Sequence, residues 1–330
     1  MALKATMASR KPEPLPEING YRLLMPLSNK NSGFARWAFA SKNGREYFIK
    51  EFLSPVCPRP SADVSAAIAD RARGECEEYF HRKNRLYQAI NASATGNIVL
   101  IRGFFLFDTK FYIVTDKVDT ANLTAEQIAS EGHDAKLLLF KVIAACLTSL
   151  HKNGVVHSDL KPSNILIKRT ATGSLTAKLI DFDGSYIVGE QPQAKDIQGD
   201  QLYYAPETCK AIFGEDVALN QKVDVFALGL LFHQYYTGVL PGFDTAEFDY
   251  AYEALLNGGA LTLSDALPGW LGALIASMLE AEPLDRPDCT EVFNALQNQL
   301  WPPDGKADTS TVKPSSPTVT GDPWKSAGDL

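Results

Sequence analysis

The chain has 330 residues, 45% of them hydrophobic and 22% charged, with a formal net charge of −7. That make-up fits a soluble globular protein of one large bilobal domain or two smaller ones. The acidic balance argues against non-specific binding to nucleic acid or to an anionic membrane surface. Five scattered cysteines (Cys57, Cys76, Cys146, Cys209, Cys289) contain no C-x-x-C. They suit a reducing compartment better than a disulfide framework and offer no zinc pattern. The N-terminal stretch lacks the apolar core of a secretory signal. No segment reaches about 18 unbroken apolar residues, so no transmembrane helix is predicted and the cytoplasm is the expected location.

Residues 1–19, rich in Lys, Glu and Pro, are expected to be disordered. From Tyr21 onward the pattern turns to short β-type runs. Strands are predicted over 35–40 and 46–52, with Lys42-Asn43-Gly44 as the hairpin turn, because Asn-Gly readily takes positive φ. A Pro-rich excursion (53–61) leads into a helix predicted over 62–90. Strands follow at 97–106 and 111–115, around an Asp108-Thr109 turn. Helices are predicted at 125–130 and 134–151, the second apolar on most of its surface and therefore a core helix. Strands at 165–168 and 177–180 flank a turn at Ala171-Thr172-Gly173, and further helices are read at 245–257, 268–280 and 289–300. Beyond Trp301 the composition changes abruptly, and 302–330 reads as a disordered Pro/Ser/Thr-rich tail. This leaves 20–301 as one domain, without internal repeats.

The stretch that organises the chain is His157-Ser158-Asp159-Leu160-Lys161-Pro162-Ser163-Asn164. It places an acid, a cation and an amide on a short loop between a helix and a strand. The octet resembles the catalytic loop of protein kinases, H-R-D-x-K-x-x-N. The resemblance implies that Asp159 accepts the proton of an attacking hydroxyl, that Lys161 neutralises charge on the transferred phosphoryl group, and that Asn164 holds magnesium. Phosphoryl transfer needs positioned charge more than covalent chemistry, so a rigid loop suits it.

Other motifs follow in the family's order. Asp181-Phe182-Asp183-Gly184 resembles D-F-G, with Asp181 as a metal ligand and Gly184 one residue late. Tyr203-Tyr204-Ala205-Pro206-Glu207 matches A-P-E, and its glutamate is expected to pair with Arg286. Asp224, in the run from Lys222 to Gly229, resembles the aspartate that holds the catalytic-loop backbone in kinases. Lys50 stands where the family's lysine contacts the α and β phosphates. The loop 27–36 would cover the phosphates through Leu27, Gly33 and Phe34, although Gly33 is its only glycine. Glu75, Glu77 and Glu78 are candidates for the helix glutamate that pairs with the lysine; Glu78 is taken, while counting back from Asn97-Ile98-Val99 leads to 81–83. Asp116 and Val118 would offer hinge backbone groups to adenine, and Leu166 completes the nucleotide contacts. Phe48 and Trp37 replace the usual alanine and valine beside adenine.

The resemblance thus implies an α+β, bilobal protein-kinase-like fold with a β-rich N-lobe and a helical C-lobe. It implies ATP and Mg2+ as cofactors and a protein substrate, with no nucleic acid or membrane partner. Lys161-Pro162 resembles Ser/Thr kinases rather than tyrosine kinases, and the loop variants look more bacterial than animal. Two alternatives remain. One is a pseudokinase scaffold, suggested by the glycine-poor loop, by Phe48, and by Asp200 in place of a threonine that normally touches the catalytic Asp and Lys. The other is a small-molecule phosphotransferase, disfavoured by Lys161, Ala205-Pro206-Glu207 and Arg286. Ser158 replaces a common arginine, and between Asp183 and Tyr203 the only serine or threonine is Ser185. Activity is therefore expected without activation-loop phosphorylation. The tail hydroxyls from Thr309 to Thr320 are expected autophosphorylation sites that recruit a phospho-binding partner.

Overall fold

The computed structural model describes residues 15–30, 33, 35–59, 66–119 and 122–300. Phe34 and the tail beyond 300 lie outside the described residues. The chain divides into two units, one running to His81 and including Ile101–Lys117, the other comprising Arg82–Leu100 and the chain from Val118.

The first unit is built on antiparallel strands: β1 (Glu17–Ile18), β2 (Tyr21–Leu23), β3 (Ala35–Lys42), β4 (Arg45–Phe52), β5 (Ile101–Phe107) and β6 (Lys110–Asp116). Among the described residues they form one sheet in the order β1-β2-β3-β4-β6-β5. The predicted hairpin is present, with Asn43 at φ 54° and Gly44 at φ 76° closing β3 onto β4. Alternation sorts the side chains. Ala38, Ala40, Ile49, Tyr112 and Val114 join Ile18, Tyr21 and Leu23 in a core on one face. The other face carries an aromatic group in which Trp37 and Phe48 stack with ring centroids 5.6 Å apart.

Strand β1 corrects the expectation that order begins only after residue 19. Glu17 pairs with Arg22 and Ile18 with Tyr21, around a turn in which Asn19 (φ 50°) and Gly20 (φ 82°) both take left-handed conformations. It is the same Asn-Gly chemistry as the second hairpin.

Helix α1 (Ala66–Ala92) spans both units, and Cys57–Cys76 is a disulfide tying the Pro-rich excursion to it. The expectation of unpaired thiols is thereby corrected for this pair, while Cys146, Cys209 and Cys289 are free and buried. The excursion also bonds to the β5–β6 turn, through Cys57 N to Thr109 O and Arg59 to Asp108.

The second unit contains α2 (Ala125–Ala129), α3 (His133–Lys152), β7 (Val155–Val156), β8 (Ile165–Arg169), β9 (Leu175–Leu179), β10 (Tyr186–Ile187), α4 (Pro206–Ile212), α5 (Lys222–Thr237), α6 (Ala251–Leu256), α7 (Gly269–Met278) and α8 (Cys289–Leu300). Helix α3 is the predicted core helix. Its Phe140 stacks on Phe232 of α5 with centroids 4.2 Å apart. Helix α5 is buried over nearly its whole length, which its apolar run dictates. Helix α6 is shorter than the predicted 245–257. Its start is fixed where the Glu253 carboxylate accepts the amides of Asp249 and Tyr250. Among the described residues no helix is long and apolar enough to cross a membrane.

The disulfide yields a test. Its cysteines are 19 residues apart. In the chain-entropy model, closing a loop of that size stabilises by about 3 kcal/mol. Chemical denaturation of the full chain should therefore show a transition that loses about 3 kcal/mol on reduction with dithiothreitol. The Cys57→Ser/Cys76→Ser variant should show the lower stability with or without reductant. An unchanged midpoint on reduction would contradict the assignment.

Candidate active site

The site is built around the loop that leaves β7. Ser158 sits at φ 64°, a left-handed conformation that costs a non-glycine residue roughly 1 kcal/mol or more unless its surroundings hold it. Asp224, 1% exposed at the start of α5, supplies the hold. Its Oδ2 accepts the His157 amide at 2.8 Å and its Oδ1 the Ser158 amide at 2.8 Å. The same carboxylate meets His151 Nε2 of α3 at 3.0 Å. Burial opposes charge on His151, but Cys289 and Asp224 beside it outweigh that and raise the imidazole to about 10. Asp224 thus fastens the loop to two core helices.

Beyond Ser158 the functional side chains converge. Asp159 Oδ2 receives Lys161 Nζ and Asn164 Nδ2, each at 2.9 Å. Asp159 Oδ1 receives the main-chain amide of Asp200 at 3.2 Å. These donors orient the carboxylate. Asn164 is buried, and its Nδ2 also bonds Asp159 O at 2.9 Å. With the amide nitrogen so committed, Oδ1 is left as the acceptor face. Asn122, which sequence reasoning passed over, braces the end of the loop. Its Nδ2 reaches Pro162 O and Ile165 O, both at 3.3 Å, and its Oδ1 accepts Ile167 N at 2.6 Å.

Asp181 stands on the next turn, at φ 61°. Ile180 N bonds Asn164 O at 3.0 Å, and Phe182 packs on the His157 ring with centroids 4.8 Å apart. Ser158 Oγ donates to Gly184 O at 3.0 Å, and Ser185 Oγ to His157 O at 2.9 Å. Serine at 158 is thus a strut between the two loops.

The donor set fits the implied metal. Asn164 and Asp181 offer one amide oxygen and one carboxylate from adjoining loops. Mg2+ is commonly held by one or two protein oxygens, with waters and substrate phosphates completing its octahedron. Among the described residues there is no cluster of three or more His, Cys, Asp or Glu side chains that would make a closed protein cage.

Asp200 is placed differently from the threonine of the resemblance. Its main-chain amide serves Asp159, while its own carboxylate accepts Leu202 N at 3.1 Å, capping the 3-10 turn Gln201–Tyr203. Gly199 before it has φ 150°, and a Cβ there would lie 2.6 Å from Tyr204 Cε1. Tyr204 OH donates to Gly199 O at 3.2 Å. Burial, and then the charges of Asp159 and Asp200, raise its phenol to about 12. Lys161, Gly199, Asp200, Gln201, Leu202 and Tyr250 line an open depression of about 560 Å³. Further along the chain, Glu207 and Arg286 form a buried bidentate pair at 2.7 and 2.8 Å. Arg286 also donates to Glu280 O, Ala281 O and Lys222 O. Removing one partner of such a pair costs about 3–5 kcal/mol.

Of the nucleotide candidates, Val118 is half-buried and Leu166 buried, both in the second unit. Those of the first unit are arranged as follows. Lys50 is 6% exposed on β4, registered between Trp37 and Ile113. Leu27 packs against the core cluster of Ala38 and Ile49, the face opposite Trp37 and Phe48. Gly33 is exposed at φ 49°. The Asp116 side chain is engaged by Arg102 at 2.7 and 2.6 Å. Glu78 lies on the exposed side of α1 and forms no ion pair among the described residues, so the structure does not bring it to the buried Lys50. On the same helix, Lys83 Nζ donates to Asp183 O at 2.7 Å.

The sequence matches the family described as the protein kinase domain over residues 69–296. The chain belongs to that family, and its architecture is the kinase-like one of a β-sheet unit and a helical unit. Lys50 and the glycine-poor loop lie before the matched range. Protein kinase kin1 of Schizosaccharomyces pombe is 26% identical over 87% of this chain and 32% of its own. The probable serine/threonine-protein kinase fhkD of Dictyostelium discoideum is 30% identical over 70% of this chain and 32% of its own. Calcium-dependent protein kinase 15 of Oryza sativa is 25% identical over 79% of this chain and 47% of its own. The chain therefore spans a third to a half of the length of these relatives. Among solved structures, the Cydia pomonella granulovirus kinase PK-1 has the same fold, with a TM-score of 0.56 at 17% identity, covering 84% of this chain and 92% of that one.

Gly199→Ala tests the bracing of Asp159. An added Cβ must displace the Tyr204 ring, and with it the amide of Asp200. The kcat should fall by roughly 10–100-fold, the scale on which misplacing a catalytic group by about 1 Å acts. Thermal melting should show the variant still folded. Wild-type kcat would contradict the role given to this segment.

Proposed function

We propose that the chain is a serine/threonine protein kinase, which transfers the γ-phosphoryl group of ATP to a protein hydroxyl. The observation that carries this reading is the Asp159 carboxylate, oriented by Lys161, Asn164 and the Asp200 amide beside an open depression. Asp159 accepts the proton of the attacking hydroxyl as the phosphoryl group moves. Lys161, already beside that carboxylate, places positive charge at the transferred group. Asn164 and Asp181 are the residues that hold Mg2+, which when bound neutralises charge on the phosphates. Lys50 is assigned to the nucleotide phosphates. Gly33, Phe34, Asp116, Val118 and Leu166 are assigned to the rest of the nucleotide. The kinase relatives named above support protein as the acceptor. Lys161-Pro162 and the serine/threonine name of the fhkD relative support serine and threonine.

One observation favours a second reading, a kinase-fold scaffold without catalysis. Trp37 and Phe48 stack on the sheet face that carries Lys50, where the family has smaller residues. A phosphoryl-transfer assay run beside nucleotide binding separates the two readings, because the scaffold reading requires ATP binding without turnover, or neither.

The catalytic assignment is tested by paired variants. Asp159→Asn should lower transfer from ATP to a generic Ser/Thr peptide by 10²–10⁴-fold, the usual worth of a positioned proton acceptor, with nucleotide affinity nearly intact. Asp181→Asn should lose the magnesium dependence of nucleotide binding as well as turnover. Wild-type turnover in both variants would refute the assignment.

A further inference from the structure

Two acidic residues, Asp181 and Asp183, stand two apart on the turn after β9, and the first is held at φ 61°. A left-handed aspartate persists only where neighbours over-determine it. Most of those neighbours belong to the catalytic loop itself: Asn164 O, the His157 ring, and Ser158 Oγ on Gly184 O. Another lies outside that loop. Lys83, half-buried on the C-terminal part of α1, donates its Nζ to Asp183 O at 2.7 Å. Two residues further along the helix, Arg85 meets Glu190 at 2.9 Å, just past β10. Two cations of α1 thus grip the two ends of the segment 183–190.

We propose that Lys83 is a positioning residue for the turn that carries Asp181. Its ammonium fixes the Asp183 carbonyl and offsets the two carboxylates, so that Asp181 is presented to the metal in one geometry. This rests on the kinase reading for the role of Asp181, though the clamp itself does not. It also explains why α1 offers a cation where an acidic residue was sought. A glutamate at 83 would add a third negative charge beside Asp181 and Asp183, and could not donate to the carbonyl.

The test uses the full chain with Lys83→Met, Lys83→Arg and Lys83→Glu. The first readout is amide hydrogen exchange over 181–186 without nucleotide, with α5 as internal control. Loss of one hydrogen bond from a charged donor predicts exchange about tenfold faster in Lys83→Met, unchanged exchange in α5, recovery in Lys83→Arg and the fastest exchange in Lys83→Glu. The second readout is turnover against Mg2+ concentration. The half-saturating Mg2+ should rise several-fold in Lys83→Met and return in Lys83→Arg, while KM for the peptide stays within twofold. A merely structural lysine would lower the melting temperature without moving the Mg2+ dependence. Unchanged exchange over 181–186 in Lys83→Met, or a Lys83→Glu protein as active as wild type, would overturn the clamp. Faster exchange in a chain whose wild type shows no turnover would uphold the clamp and refute the kinase reading instead.

Discussion

The loop from His157 to Asn164 depends on one buried carboxylate. Asp224 accepts two consecutive amides, those of His157 and Ser158, and so holds the backbone in a bend that a serine does not adopt unaided. The carboxylate is in turn gripped by His151 on the core helix α3. A hydrogen bond to a charged acceptor is worth more than a neutral one, and more still where water is excluded. If this anchor fails, Asp159, Lys161 and Asn164 lose their common frame, because each is positioned relative to the others through that loop.

The Asp159 carboxylate is braced in turn by the segment that ends in Ala205-Pro206-Glu207. The amide of Asp200 reaches Asp159, and Gly199 lets Tyr204 close over the backbone behind it. Glu207 and Arg286 fix the end of that segment against the rest of the helical unit, with every nitrogen of the guanidinium engaged. Asp159 is therefore held from two directions by polar groups. Much of the site's rigidity comes from buried hydrogen bonds, not from side chains that contact substrate.

Much of this was legible in the sequence. The hairpin at Asn43-Gly44 and the core helix ending in His151 follow from local chemistry, and both are present. The octet from His157, and the expected pair of Glu207 with Arg286, follow from resemblance, and the pair is seen in the structure. Other features were not legible, for identifiable reasons. Strand β1 hid behind a polar, Pro-rich composition, although Asn19-Gly20 carried the same turn signal as Asn43-Gly44. The Cys57–Cys76 bond joins a loop to a helix, and no local pattern announces such a contact. Residue type points to Glu78, but the rotation of α1 leaves Glu78 exposed and turns Lys83 to the Asp183 carbonyl. Asp200 read as a lost hydroxyl, whereas its backbone amide supplies the contact. Main-chain donors leave no trace in a sequence.

Asp224 sets the geometry of the loop to which phosphoryl transfer is assigned. The most direct measurement is the turnover of folded Asp224→Asn protein with ATP, Mg2+ and a Ser/Thr peptide. An asparagine keeps the shape but has one accepting oxygen in place of two, so one of the two loop amides loses its partner. The account predicts a fall in kcat of about 10²-fold or more, the scale of losing a positioned catalytic base, with circular dichroism like that of the wild type. Turnover within a few-fold of wild type in a folded Asp224→Asn protein would contradict it.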